Sequence, residues 1–141
     1  TDYLARYYAE LKPVRVGRLT VAPTHLELSP EPGERLLWLD PGMAFGTGHH
    51  ETTRLALGAL ERENLAGRDV LDLGAGSGIL AIAADLLGAP SARGRDLDPD
   101  TLPVALENAR LNRSRARFAV GSLGDERGAR GYLVDANLYA E

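Results

Sequence analysis

Three alternating glycines after a predicted strand constrain the fold of this chain more than any other feature. In the run "LDLGAGSG", Gly74, Gly76 and Gly78 follow an apolar strand and open a largely apolar helix. Glycines at such a turn let a ligand approach the backbone closely, and the N-terminus of the helix favours negative charge. This arrangement is typical of α/β folds that bind nucleotide-like ligands.

The segments around this turn alternate between strand and helix. The pattern predicts strands in "RDVLDLG", "SARGRD", "ARFAVGS" and "GYLVDANLY", and helices in "SGILAIAADLLG" and "PDTLPVALENARLN". A cap at Asp100 or Thr101 keeps Pro103 in the first helical turn, where its missing N–H is tolerated. Because strands that alternate with helices form a parallel sheet with crossovers, we expect an α/β, doubly wound fold.

Composition narrows the class of protein. The 141 residues are 44% hydrophobic and contain no cysteine, and no apolar run approaches the length of a bilayer span, so we expect no membrane contact and a cytoplasmic location. The net charge of −4 disfavours nucleic-acid binding through bulk positive potential. We interpret the arginine-rich run at residues 110–117 as a solvated surface segment. Since Met43 is the only methionine, we expect the natural protein to have residues upstream of Thr1.

Two acidic residues flank the glycine turn. Asp96 ends the next predicted strand, where a carboxylate can accept both hydroxyls of a ribose. Asp72 precedes the first glycine, and an acid there suits a ligand with a cationic group, such as the amine of an amino acid, but would repel a pyrophosphate. The spacing G-x-G-x-G also differs from the G-x-G-x-x-G of dinucleotide oxidoreductases. A dinucleotide enzyme and a turn without any ligand are therefore the weaker interpretations.

Asp72, the three glycines and Asp96 together resemble the class I S-adenosylmethionine-dependent methyltransferases. The segments "DPGMAFGTGHHETTRLAL", "LDLGAGSGILAIAADLLGA", "DLDP" and "ANLYAE", in that order, narrow the resemblance to PrmA, the ribosomal protein L11 methyltransferase family. The similarity runs from about Leu36 to Glu141. It implies a Rossmann-like methyltransferase sheet that uses S-adenosyl-L-methionine. It also implies methylation of a lysine side chain and an N-terminal amine on a large-subunit ribosomal protein of the stalk base.

The resemblance implies cofactor contacts along the matched motifs. With the turn and its flanking acids, the expected residues are Thr53, Asp72, Gly74, Gly76, Gly78, Asp96 and Asn137. Thr53, near a helix start, offers a hydroxyl and a backbone N–H to the carboxylate end of the ligand. Asn137, at the carboxyl end of the fourth strand, lies at the edge where open α/β sheets bind ligands.

The run "NLYA" resembles the Asn-Pro-Pro-Tyr-type loop of amine methyltransferases. The resemblance therefore implies that the side-chain oxygen of Asn137 and the carbonyl of Leu138 orient the substrate nitrogen, and that Tyr139 shapes the wall of the site. In the same family interpretation, residues 40–53 form a flap whose glycines allow it to close over bound cofactor.

The resemblance also divides the chain after residue 35. Residues 1–35, with a helix in "DYLARYYAELK" and short strands in "VRVGRLTVA" and "THLELS", are interpreted as a linker from the end of a missing N-terminal domain. Residues 36–141 are then the N-terminal part of the methyltransferase domain. We expect this domain to be truncated after its fourth strand, which would be left as an edge of the sheet.

Other residues bear on whether the chain binds a metal ion or phosphate and on whether it is an active enzyme. The adjacent His49 and His50 lack the spacing of a metal site, so no metal is expected, and the glycine-rich loop before them has no lysine of the kind a P-loop uses. Arg93 and Arg95 interrupt the second strand and predict a strand that is distorted or near an edge of the sheet, while Asp135 interrupts the fourth. The chain can thus also be an inactive cofactor-binding fragment or pseudoenzyme, or a methyltransferase that acts on RNA or a small molecule.

Overall fold

The computed structural model describes residues 2–41, 50–122, 124 and 132–136. The chain forms two compact units that divide between Arg62 and Glu63. The first unit contains α1 (Asp2–Glu10), β1 (Val14–Val16), β2 (Leu19–Pro23), β3 (Arg35–Leu39) and α2 (His50–Glu61). The second contains β4 (Asp69–Leu73), α3 (Ile79–Leu86), β5 (Ser91–Asp96), α4 (Thr101–Leu111), β6 (Arg117–Val120) and β7 (Tyr132–Ala136). The predicted division of the chain into domains at residues 1–35 and 36–141 stays a prediction.

The first unit is built on a three-stranded sheet in the order β1-β2-β3. The strands predicted in "VRVGRLTVA" are present and form a hairpin: β1 and β2 are antiparallel, and Gly17 and Arg18 form the two-residue turn between them. Gly17 has a φ of 61°, as the first central residue of a type II′ turn requires. The prediction of a strand in "THLELS" was wrong. The chain turns there instead, and β3 occupies the place beside β2 as a parallel neighbour.

The end of α2 binds the hairpin turn of the same unit through Glu61. The Glu61 carboxylate accepts hydrogen bonds from the backbone N–H of Arg18 at 3.2 Å and from its Nε at 2.9 Å. A Cβ atom at Gly17 would lie 2.2 Å from Cδ of Glu61, so only glycine lets the carboxylate come this close. This contact fixes the helix end against the turn.

The second unit is a parallel sheet in the order β6-β5-β4-β7, with α3 and α4 as the crossovers between β4, β5 and β6. The α/β, doubly wound fold predicted from the alternating pattern is confirmed. Because β5 and β7 lie on opposite sides of β4, the strand order reverses beside β4, and ligands of such sheets bind at this point, outside the carboxyl ends of the strands. The core is apolar and includes Val70, Leu71 and Ile82, each at most 1% exposed.

The second strand of this sheet meets the expectation in part. β5 pairs in regular register with β4 and β6, so it is not distorted at Arg93 and Arg95, and it lies next to the edge strand β6, near the edge of the sheet. The placement of Pro103 in the first helical turn is confirmed, since α4 begins at Thr101 with Asp100 at the N-cap position, where the Asp100 side chain makes no capping hydrogen bond. Across the described ranges, none of the helices has the length and apolar character needed to cross a bilayer.

Candidate functional site

The turn between β4 and α3 has a backbone path that requires its glycines. Gly74, Gly76 and Gly78 have φ values of 73°, 54° and 85°, in the left-handed region that other residues rarely adopt. The amides of Gly74 and Ala75 both donate to the carbonyl of Arg95, at 2.8 and 3.0 Å. The amide of Gly78 donates to the carbonyl of Ala75 at 2.8 Å. The turn is therefore held against the end of β5.

Asp96, at the end of β5, joins this turn to the loop that follows. Its Oδ2 accepts a 2.9 Å hydrogen bond from the amide of Gly76, and its Oδ1 accepts one of 2.9 Å from the amide of Asp98. A carboxylate has about four lone-pair positions, so these two bonds leave capacity for about two more donors. The predicted pair of Asp96 and the glycine turn is thus brought together, with the carboxylate oriented and still able to accept hydroxyl groups.

Gly94 gives the turn room to pack against the sheet. A Cβ atom at Gly94 would lie 2.7 Å from the Cβ of Ala75 and 2.7 Å from Cδ1 of Phe118 on β6. A Cβ atom at Gly78 would lie 2.7 Å from Cζ of the same ring. These distances are far below van der Waals contact. The sequence did not identify Gly94 and Phe118 as site residues. They lie on different strands, β5 and β6, and local patterns do not show which residues of two strands will meet.

A surface cleft opens beside Asp96. Its lining includes Gly76, Asp96, Leu102 and Val120, and a Cβ atom at Gly76 would meet no described atom within 4 Å. Val120 is the register partner of Asp96 and is 43% exposed, and Leu97, the residue after Asp96, is 76% exposed. Ligand sites combine apolar surface with a few polar groups that fix orientation, and Val120 in the cleft and Leu97 beside it supply such surface next to Asp96. Leu97 and Val120 lie at the ends of two neighbouring strands, and this position could have identified them from the sequence.

Asp72 lies in β4 and is fully buried, at 0% exposure. Its register partners are Gly94 on β5 and Asp135 on β7. Asp72 therefore belongs to the same end of the sheet as the glycine turn. Its contact with a cationic ligand group stays a prediction.

The other predicted site residues are not joined to this geometry by the described residues. Thr53 is half-buried on α2, in the first unit. Asn137, Leu138 and Tyr139 lie outside the described residues, as does His49, and their roles stay predictions. In the part of the chain that the structure describes, His, Asp and Glu side chains form no group able to hold a metal ion.

The chain matches known proteins over its whole length. The family model of the ribosomal protein L11 methyltransferase (PrmA) matches residues 1–141. Two ribosomal protein L11 methyltransferases are similar over 99% of this chain and 54% of their own length. They come from Deinococcus radiodurans, at 48% identity, and from Thermus thermophilus, at 50%. The chain thus spans about half the length of the curated relatives it matches.

A solved structure supports the same relationship. The crystal structure of ribosomal protein L11 methylase from Lactobacillus delbrueckii subsp. bulgaricus is 34% identical, with a TM-score of 0.66, and the match covers 82% of this chain and 59% of that one. Both the sequence and the fold are therefore similar to this family. The chain belongs to the ribosomal protein L11 methyltransferase (PrmA) family.

Proposed function

We propose that this chain carries the S-adenosyl-L-methionine-binding part of a cytoplasmic methyltransferase. Its substrates are amino groups, a lysine side chain and an N-terminal amine, of ribosomal protein L11 at the stalk base of the large subunit. The observation that carries the proposal is the carboxylate of Asp96, which is held by the amide of Gly76 at 2.9 Å and borders a cleft beside the glycine turn. Membership of the family supports the type of reaction.

The described residues fit the parts of this cofactor. The remaining lone pairs of Asp96 can accept the two ribose hydroxyls. Leu97 and Val120 offer apolar surface to a flat base next to that ribose. Gly76 leaves open space beside the carboxylate, so a ligand can approach the backbone there. Asp72, at the carboxyl end of β4, is the acid that we assign to the amine of the methionine group.

The main tasks of the protein in this reaction are to position the substrate amine and to remove water from around it. When bound, S-adenosylmethionine supplies a methyl group on a positively charged sulfur. A free lysine has a pKa of about 10.4, so the substrate amine must lose a proton before it can attack. We assign Asn137 and the carbonyl of Leu138 to accept hydrogen bonds from that nitrogen and aim its lone pair, with Tyr139 excluding water. Thr53 is assigned to contact the cofactor, as the similarity of its segment to the family implies.

Calorimetric titration tests the cofactor assignment. The chain is expected to bind S-adenosylmethionine and not NAD, because the glycine spacing and Asp72 do not suit a pyrophosphate. Incubation with radiolabelled cofactor and purified ribosomal proteins then tests the substrate. Binding without transfer would favour a cofactor-binding fragment or pseudoenzyme, and binding of NAD alone would overturn the proposal.

Methyl transfer to RNA is the second candidate. Exposure alternates along the segment after α4, where Arg113, Arg115 and Arg117 are exposed while Ser114 is half-buried and Ala116 is buried. Such a row of cations suits a phosphate backbone. Ribosomal RNA in the same labelling assay distinguishes the two: label in RNA and none in protein would favour this candidate.

A further inference from the structure

Asn108 is a buried polar residue near the glycine turn that the proposed site has not yet used. It lies on α4 and is 4% exposed, and its buried neighbours on that helix are Ala105 and Ala109. Its side-chain Nδ2 donates a 2.9 Å hydrogen bond to the backbone carbonyl of Ser77. Burying a primary amide among alanines costs free energy unless its hydrogen bonds are made. The hydrogen bond from Asn108 to the turn therefore suggests that the residue has a specific role there.

Ser77 occupies the middle of the turn. The residue before it, Gly76, donates its amide to Asp96, and the residue after it, Gly78, donates its amide to the carbonyl of Ala75 at 2.8 Å. The carbonyl of Ser77 and the N–H of Gly78 belong to one planar peptide unit. A bond that fixes the carbonyl therefore also fixes the direction of that N–H.

The turn is thus held from two directions. Asp96 holds it from β5 through Gly76, and Asn108 holds it from α4 through Ser77. Neither bond can replace the other, because the N–H of Gly76 and the carbonyl of Ser77 belong to different peptide units. Rotation of the Ser77 peptide would move the backbone that borders the cleft beside Asp96.

We propose that Asn108 is a positioning residue for the cofactor, acting through the carbonyl of Ser77 to hold the glycine turn in the geometry that accepts the ligand. The inference rests on the proposed function, since it concerns the same ligand. Asn108 does not line the cleft, and its effect on binding is therefore indirect.

The same helix offers a matched control. Nδ2 of Asn112 donates a 2.9 Å hydrogen bond to the carbonyl of Asn108, so it closes the end of α4 without contacting Ser77. If Asn108 acts only by stabilising α4, then Asn112→Ala and the Asn108 variants should affect cofactor affinity alike once their stabilities are matched.

The test compares Asn108→Asp, Asn108→Ala and Asn112→Ala. Asn108→Asp keeps the shape of the side chain but turns the donor into an acceptor facing the Ser77 carbonyl. Affinity for S-adenosylmethionine is measured by calorimetry, at a temperature where thermal unfolding curves show each variant to be folded. Both Asn108 variants are expected to bind at least about tenfold more weakly than the wild type, because the part-buried carbonyl of Ser77 loses its donor, whereas Asn112→Ala stays within about twofold.

Each outcome bears on the inference. Equal affinity of the wild type and the folded Asn108 variants would overturn it while leaving the proposed function standing. A loss in Asn112→Ala as large as in Asn108→Asp would also overturn it, since the effect would then come from the helix. No binding by the wild type would overturn the proposed function and this inference with it. If an Asn108 variant does not fold, the amide signals of Gly76 and Gly78 in spectra of Asn108→Ser provide the measurement. They are expected to shift, and unchanged signals would contradict the inference.

Discussion

The amide of Gly76 donates a 2.9 Å hydrogen bond to Oδ2 of Asp96, which joins the turn after β4 to the end of β5. The bond orients the carboxylate beside the cleft. It also means that the acid has a structural role before any ligand arrives, so variants at Asp96 should affect both stability and binding.

Asp96→Asn is expected to weaken both stability and cofactor binding. An amide oxygen can accept from Gly76 or from Asp98, but its NH₂ group would then face the other backbone N–H. We expect a loss of about 1–3 kcal/mol in unfolding free energy and at least about tenfold weaker binding of S-adenosylmethionine. Asp98→Asn is the matched control, because it keeps the oxygen that accepts from the amide of Asp100. Equal affinities of the two variants would contradict the role of Asp96.

Gly94→Ala is expected to destabilise the second unit. Its added Cβ atom would meet both Ala75 and Phe118 at 2.7 Å, and relief requires the turn or β6 to move, at a cost of about 1–3 kcal/mol. Gly58→Ala is the control, because the nearest contact of its Cβ atom, Nη1 of Arg62, is an ordinary 3.5 Å and alanine favours the helix. Chemical denaturation measures both. A Gly94→Ala protein as stable as Gly58→Ala would contradict the packing described here.

The first unit is expected to lose stability in acid through Glu61. Hydrogen bonds from the side chain and backbone N–H of Arg18 hold the pKa of Glu61 below its ordinary value of 4.5. Because the carboxylate is favoured in the folded state, its contribution is complete above the unfolded pKa and is lost as the pH falls through the lower, folded one. The effect is modest, since the Arg18 side chain is 54% exposed and solvent screens the pair.

Denaturation of Glu61→Gln between about pH 3 and pH 7 checks this expectation, in the range where glutamate titrates. The difference in unfolding free energy between wild type and variant should shrink as the pH falls. Glu63→Gln serves as control, because its pair with Arg68 is 3.9 Å long and exposed on both sides. A difference for Glu61→Gln that is constant with pH would contradict the assigned interaction.

Asn137→Ala is expected to abolish methyl transfer with little change in unfolding free energy. The residue is assigned to orient the substrate amine, which affects the rate of reaction and not the packing of the sheet. Labelled transfer to ribosomal protein L11 measures the rate, in a preparation whose wild type turns over. Asn64→Ala is the control, because Oδ1 of Asn64 accepts a local hydrogen bond from the amide of Ala66 in an exposed turn. Wild-type turnover in Asn137→Ala would remove Asn137 from the site.

Local sequence patterns predicted the parts of the fold that depend on neighbours in sequence. The period of the residues gave the strands and helices of the second unit, and glycine chemistry gave the turn beside Asp96. Contacts between segments that are far apart in the sequence could not be predicted from local patterns. The packing of Gly94 on Phe118 and the bond from Asn108 to Ser77 each join separate elements. Alternation alone misled in "THLELS", because an alternating run becomes a strand only if a partner strand is free beside it.

A crystal structure of this chain with S-adenosylmethionine tests the central claim most directly. We predict that both ribose hydroxyls lie within hydrogen-bond distance of the Asp96 carboxylate, with the Gly76 amide still bound to Oδ2. We also predict that the base lies against Leu97 and Val120. A cofactor bound elsewhere, or a ribose that makes no hydrogen bond to Asp96, would contradict the account.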